Sequence, residues 1–168
     1  MTDPRDPVPL QREHRTAGFD CGRPELDTWL ERHALAAHRS GSARVFVSIA
    51  DDGRIAGYYA LAVAQVSHRD ATERAVKGMP AAPIPAALLA RLAVDSSLQG
   101  RGLGERLLRD AMLRVLGAAE SIGIRVLLVH AKDPAAREFY ERYDFEPSPT
   151  DPLHLLLLLK DVRAALSP

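Results

Sequence analysis

The chain has 168 residues with 46% hydrophobic and 26% charged side chains, so a single globular domain over residues 1–168 is expected. Lys+Arg 22 balances Asp+Glu 22, and the zero net charge excludes a nucleic-acid affinity carried by bulk charge. One cysteine, Cys21, excludes an intrachain disulfide and a zinc site of several thiolates, and no metal is expected.

Met1 to Pro9 reads as a loose lead-in without the apolar stretch of a signal peptide, and Pro9 to His14 as a short edge strand. After Asp20-Cys21-Gly22-Arg23-Pro24 the spacing of Leu26, Trp29, Leu30, His33 and Ala37 predicts one helix from Glu25 to about His38, ended by Gly41. Arg44–Ala50 and Ile55–Val66 alternate as a hairpin around Asp51-Asp52-Gly53. Ser67–Pro85, with three prolines at its end, reads as a long connection of the kind that is functional or mobile.

A strand follows, with Leu88, Ala90, Leu92 and Val94 on one face, then a polar turn, Asp95-Ser96-Ser97, and Gln99-Gly100-Arg101-Gly102-Leu103-Gly104. Beyond it Leu103, Leu107, Ala111 and Val115 form a helical stripe, with Glu105 to Arg109 and Asp110 to Arg114 as i,i+4 charge pairs outside. Ile124–His130 is a buried strand of parallel type. Asp133 caps a helix with Pro134 at its first position, running through Phe139 and Tyr140 to Tyr143. A strand, Leu153–Lys160, and a last helical turn, Asp161–Leu166, close the chain. Leu153–Leu159, its most apolar run, is far short of the ~20 residues that cross a bilayer, so no membrane partner and a cytoplasmic location are expected. This order of elements predicts an α/β (α+β) fold with a mixed sheet and helices on both faces.

A strand, glycine-rich turn and helix in that order aim backbone N–H groups and the positive end of a helix dipole at one point, an arrangement suited to phosphate. A lone G-x-G pair also fits an ordinary turn. The Lys-Ser/Thr of a P-loop and the third glycine and acidic residue of a dinucleotide fingerprint are missing. With Gln99, Gly102 and Gly104 the turn resembles the Gln/Arg-x-x-Gly-x-Gly/Ala signature of the GNAT superfamily of acetyl-CoA-dependent N-acetyltransferases. The resemblance implies a mostly antiparallel sheet splayed between two central parallel strands. It also implies that Gln99, Gly100, Arg101, Gly102, Leu103 and Gly104 hold the pyrophosphate of coenzyme A while Leu92-Ala93-Val94 pairs with its pantetheine arm.

In an open sheet, ligands lie beyond the carboxyl ends of the strands, which points to the mouth between Val94 and Ala131. Attack of an amine on a thioester expels a thiolate, and a phenol titrating near ~10 can protonate it at neutral pH. Ala136-Arg137-Glu138-Phe139-Tyr140 resembles the GNAT A-x-x-F-Y segment, which makes Tyr140 the general acid and places Asp133, Ala136 and Phe139 with the coenzyme. Without that resemblance Phe139 and Tyr140 would read as a pair anchoring a helix to the sheet. No motif singles out a general base among His33, His38, His68, His130 and Glu146; an α-amine, titrating near ~7.7 to 8.0, needs one less than lysine does. Cys21 has no histidine partner in the pattern and reads as a buried or neutral thiol.

Phe19-Asp20-Cys21-Gly22-Arg23-Pro24-Glu25-Leu26-Asp27-Thr28-Trp29-Leu30 with Ala43–Val47, Arg91–Asp95 and the C-terminal alternation of leucines ending Lys160-Asp161-Val162 resembles the acetyltransferase toxins of bacterial toxin–antitoxin modules from Leu10 to Leu166. The resemblance implies an acceptor that is the α-amine of aminoacyl-tRNA, a homodimer, a ribbon-helix-helix antitoxin, and operator DNA bound only through the antitoxin complex. A protein N-terminus, a lysine or a small amine is the alternative acceptor, and an acyl-CoA-binding module without catalysis the alternative class. Toxins of this type tend to be basic, whereas this chain is neutral, so RNA binding falls to a local patch. Arg69, Arg74, Lys77 and Arg91 are the candidates, with a merely solvated loop as the other reading.

Overall fold

The structure, a computed structural model, describes residues 3–166; the ends of the expected domain, residues 1–2 and 167–168, lie outside them. Among the described residues seven strands form one sheet in the order β1-β2-β3-β4-β5-β7-β6. They are β1 Val8–Pro9, β2 Arg44–Ile49, β3 Ile55–Val66, β4 Ile84–Val94, β5 Val126–His130, β6 Glu146–Pro147 and β7 His154–Leu158. The helices are α1 Pro24–Arg32, α2 Ala34–Ser40, α3 Glu73–Val76, α4 Leu103–Ala119, α5 Pro134–Glu141 and α6 Leu159–Leu166. β4 and β5 pair in parallel from Ala86↔Val126 to Leu89↔Val129, whereas β1–β2, β2–β3, β5–β7 and β6–β7 are antiparallel. The chain divides into two compact units, residues 1–62 with 90–111 and residues 63–89 with 112–168.

In the first unit Leu26 and Leu30 of α1 pack with Val45, Val47, Tyr58 and Ala93. Tyr58 is fully buried; its hydroxyl donates to the Leu26 carbonyl at 2.7 Å and its ring meets Phe19 edge-on and Trp29 face-on. The adjacent Tyr59 stacks on Phe46, and its hydroxyl donates to Asp110 of α4. The stripe Leu103, Leu107, Ala111 and Val115 is buried, as its spacing requires. Gly57 is what lets α4 sit so close: a Cβ there would lie 2.9 Å from the Leu107 side chain and 3.0 Å from the Ala93 carbonyl oxygen.

The expected helix Glu25–His38 is two helices, because His33 leaves helical geometry at φ −124, ψ −23 while its carbonyl receives Ala37 N–H to begin α2. Leu30, Ala34 and Ala37 continue one apolar face across the break, which is why periodicity does not reveal it. The edge strand lies at Val8–Pro9; Gln11–His14 closes a turn in which Gln11 N–H donates to His14 Nδ1. On β4 the residues expected on the apolar face, Leu88, Ala90, Leu92 and Val94, are half-buried, while Ala87, Leu89 and Ala93 are buried.

The second unit packs Val66, Ala75, Ile84, Val126, Leu128, Leu156 and Leu158 into its own core. The connection from Ser67 is shorter and better anchored than expected. It contains α3, capped by Thr72, and β4 already begins at Ile84; Pro85 is tolerated because it supplies only a carbonyl, which accepts Arg125 N–H. The Arg125 guanidinium donates to the carbonyls of Arg74, Ala75 and Lys77, tying off the end of α3. Asp70 accepts from Thr150 and Ser67, and its carbonyl accepts the Ser148 hydroxyl. The two-residue β6 was not visible in the sequence, and α6 starts at Leu159, two residues before the expected Asp161.

Candidate active site

The polar turn after β4 is built around a buried carboxylate. Asp95 Oδ1 accepts from Ser97 N–H at 3.1 Å and Ser97 Oγ at 2.7 Å, and its Oδ2 accepts from Asp20 N–H at 3.2 Å. Burial works to raise its pKa, but the bonds from Ser97 and Asp20 outweigh it and hold the group below the usual carboxylate value. The segment Asp20–Gly22 answers in kind: Ser96 N–H donates to the Asp20 carbonyl, Gly22 N–H to Asp20 Oδ1 and Cys21 N–H to Asp27 Oδ1.

Gln99 completes this latch. Its side-chain amide donates to the Val94 carbonyl at 2.9 Å and to the Cys21 carbonyl at 3.0 Å, so the start of the glycine turn is bolted to the end of β4 and to the amino-terminal segment. Gly100 and Gly102 then take φ +79 and +83, the left-handed region open to glycine, with no atom within 4 Å of where a Cβ would stand. Leu103 and Gly104 are the first two residues of α4, whose amides have no partner inside the helix, and the Gly102 carbonyl accepts Arg106 N–H. No described hydrogen bond uses the amides of Gly100, Gly102, Leu103 or Gly104, so the turn offers donors and open space to an anion. These features fit a pyrophosphate. Leu92 and Val94 are half-buried and Ala93 buried on the strand leading into it.

In the second unit Asp133 caps α5, accepting from Ala136 N–H at 2.9 Å, with Pro134 at the first position. Phe139 and Tyr140 share this helix. The Tyr140 ring is buried and packed edge-on against Phe139 at 5.1 Å and Phe145 at 5.4 Å, while Phe139 also meets Tyr143.

The basic candidates have diverse surroundings. Arg74 is committed within its unit, bidentate to Asp161 at 2.8 and 3.0 Å with Glu146 beside it, so it does not supply a free charge. Arg69 and Lys77 are exposed on the same connection. Arg91, in the other unit, lies over the Trp29 ring.

Three of the candidate bases have structural partners. His38 Nδ1 accepts Val45 N–H, and burial, then Arg44, lowers its pKa; His68 Nε2 meets the Ala82 carbonyl; Glu146 pairs with Arg74. His130 stacks on His154 at 3.9 Å, where loss of water on that face and then the second imidazole push it below the usual histidine value. Cys21 is buried and its thiol is pushed up to about 12, chiefly by burial, so it is a neutral thiol at physiological pH. The pattern reading missed Asp20 and Asp95; Asp-Ser-Ser after a strand is an Asx-turn signal that could have found the second.

Residues 41–147 match the acetyltransferase (GNAT) domain family, and the chain belongs to the GNAT acetyltransferases. It is 55% identical over 148 residues, 88% of each chain, to the tRNA-acetylating toxin of Mycobacterium tuberculosis. Among solved structures it superposes with a TM-score of 0.88 and 27% identity on AtaT complexed with acetyl-methionyl-tRNAfMet, over 98% of this chain and 100% of that one. A tyrosine-to-phenylalanine variant of AtaT bound to the C-terminus of the antitoxin AtaR and acetyl-CoA superposes at 0.82 with 29% identity, over 99% and 100%. No described helix is long and apolar enough to cross a membrane, and no described cluster of side chains could hold a metal ion.

Proposed function

We propose that this protein is a single-domain cytoplasmic toxin that transfers the acetyl group of acetyl-CoA to the α-amine of aminoacyl-tRNA. Acetylation removes the nucleophile of peptide-bond formation, so translation stops. The observation that carries this reading is the turn Gln99–Gly104, with unspent amides at the start of α4 and a latch that holds it to β4. Its amides, with Arg101, hold the diphosphate of the co-substrate; Leu92, Ala93 and Val94 hold the pantetheine arm; Asp133, Ala136 and Phe139 complete the coenzyme site. The likeness to the mycobacterial toxin supports the choice of acceptor.

In the transfer the amine nitrogen bonds to the acetyl carbon, the carbon–sulfur bond breaks, and Tyr140 gives its phenolic proton to the departing sulfur. The amine's surplus proton passes to water. Arg69, Lys77 and Arg91 contact RNA. A ribbon-helix-helix antitoxin silences the enzyme and alone carries it to operator DNA, and the active species is a homodimer.

Tyr140→Phe tests this directly. Labelled acetyl transfer from acetyl-CoA to charged tRNA should fall about 100-fold or more, with acetyl-CoA affinity by calorimetry changed less than about twofold. Transfer by the unsubstituted enzyme to small amines or lysine alone would remove tRNA as the acceptor, and a Tyr140→Phe enzyme of full activity would remove the assigned acid.

A further inference from the structure

Arg91 occupies a position on β4 that its neighbours reserve for apolar side chains. With a strand's period of two, it shares a face with Leu89 and Ala93, both buried. Its guanidinium carbon stands 4.1 Å from the centre of the Trp29 ring on α1. Trp29 is itself fixed, its ring stacked 6.1 Å from that of Tyr58 at 10°, and Tyr58 is locked by its bond to Leu26.

The guanidinium is half-buried, and among the described residues neither a carboxylate nor any hydrogen-bond acceptor answers it; only the indole face does. Burial lowers its pKa, with the Tyr58 phenol working the other way. Charges removed from water are ordinarily paired, and this one keeps its planar fork of N–H donors unused. The indole covers one side of the group without using its N–H donors, and an arginine fork is suited to two parallel bonds to one phosphate.

We propose that Arg91, held over the Trp29 ring, binds a phosphate of the unpaired 3′ end of the acceptor RNA. The inference rests on the reading of aminoacyl-tRNA as acceptor. Arg91 precedes Val94 by three residues, which at the rise of a strand is ~10 Å. That spacing leaves room for a terminal nucleotide and its ester between the phosphate and the end of β4, where the acetyl group is transferred. The likeness to a tRNA-acetylating toxin supports RNA as the source of the anion, and with no net positive charge its phosphates have to be met by individually built contacts.

The test uses Arg91→Gln and Arg91→Lys in the full chain, with two acceptors: a mixed pool of aminoacyl-tRNA, and the aminoacyl-adenosines that a pyrimidine-specific ribonuclease releases from that pool. The second acceptor has the same amino acids and esters but no phosphate. For Arg91→Gln, kcat/KM should fall about tenfold or more on tRNA, remain within about twofold on the adenosine esters, and leave acetyl-CoA affinity unchanged. Arg91→Lys, which keeps the charge but not the fork, should fall between. An equal fall on both acceptors would mean that Arg91 reads the amino acid or only supports the fold, and no fall on either would mean that it contacts nothing; both overturn the proposal. Should the unsubstituted enzyme acetylate no aminoacyl-tRNA, the acceptor reading fails by itself. Binding of the oligonucleotide ACCA then decides the inference, upheld if Arg91→Gln weakens it about tenfold and overturned if it does not.

Discussion

Asp95 is a side chain whose removal should be felt in two ways. Asp95→Asn keeps its size but loses the charge on which Ser97 and Asp20 converge, and a charge-assisted bond of this kind is worth about 1.5–3 kcal/mol. Chemical denaturation at neutral pH should show a loss of that order, with weaker acetyl-CoA binding because the turn is released. The pH dependence has a definite sign. The folded pKa lies below the unfolded one, so the contribution is complete above the unfolded carboxylate value and disappears as pH falls through the folded value. The two proteins should therefore converge in stability in acid; a constant difference from neutral pH downward would show that the charge of Asp95 contributes nothing.

At the scale of elements, two contacts decide where the site-bearing segments lie. Gly57→Ala would drive a methyl into the Ala93 carbonyl and the Leu107 side chain, and since the carbonyl belongs to a paired strand, α4 has to yield. A loss of about 1–3 kcal/mol is expected, together with weaker acetyl-CoA binding, because α4 carries the turn at its start. Arg125→Met should free the end of α3, where three carbonyls lose their donor, and hydrogen exchange at Val76, Lys77 and Met79 should accelerate while β2 and β3 are unaffected. Much of this level was legible in the residues: the hairpin of β2 and β3, the Gly41 stop, the Asp133 cap and the α4 stripe all follow from local pattern. The break at His33 and the anchoring of the long connection were not. The break is hidden because the apolar face of Leu30, Ala34 and Ala37 runs on across it, and the anchoring depends on partners distant in sequence, as when Arg125 reaches back to α3 and Ser148 to Asp70, which no local periodicity encodes.

Over the whole molecule, zero net charge sets the character of RNA binding. Arg74 is neutralised by Asp161 and Glu146, leaving Arg69, Lys77 and Arg91 as the candidate phosphate contacts. The logarithm of the tRNA association constant should fall against the logarithm of salt with a slope of about −2 to −3, for some three phosphate contacts; a slope near −10 would mean that many more basic residues than these three meet phosphate. The sequence allowed the glycine turn and Tyr140 to be named because each belongs to a short motif. It could not show that Arg74 was occupied, since nothing near position 74 announces carboxylates at 146 and 161.

The latch that joins residues 20–22 to 95–99 has an evolutionary consequence. Asp20, Asp95, Ser97 and Gln99 each satisfy a group that another part of the latch presents, so a lineage that loses one exposes a donor or acceptor in the others. Across related chains these four positions should change in concert, and a relative that keeps the glycines but replaces Asp95 alone should carry a compensating residue at position 20.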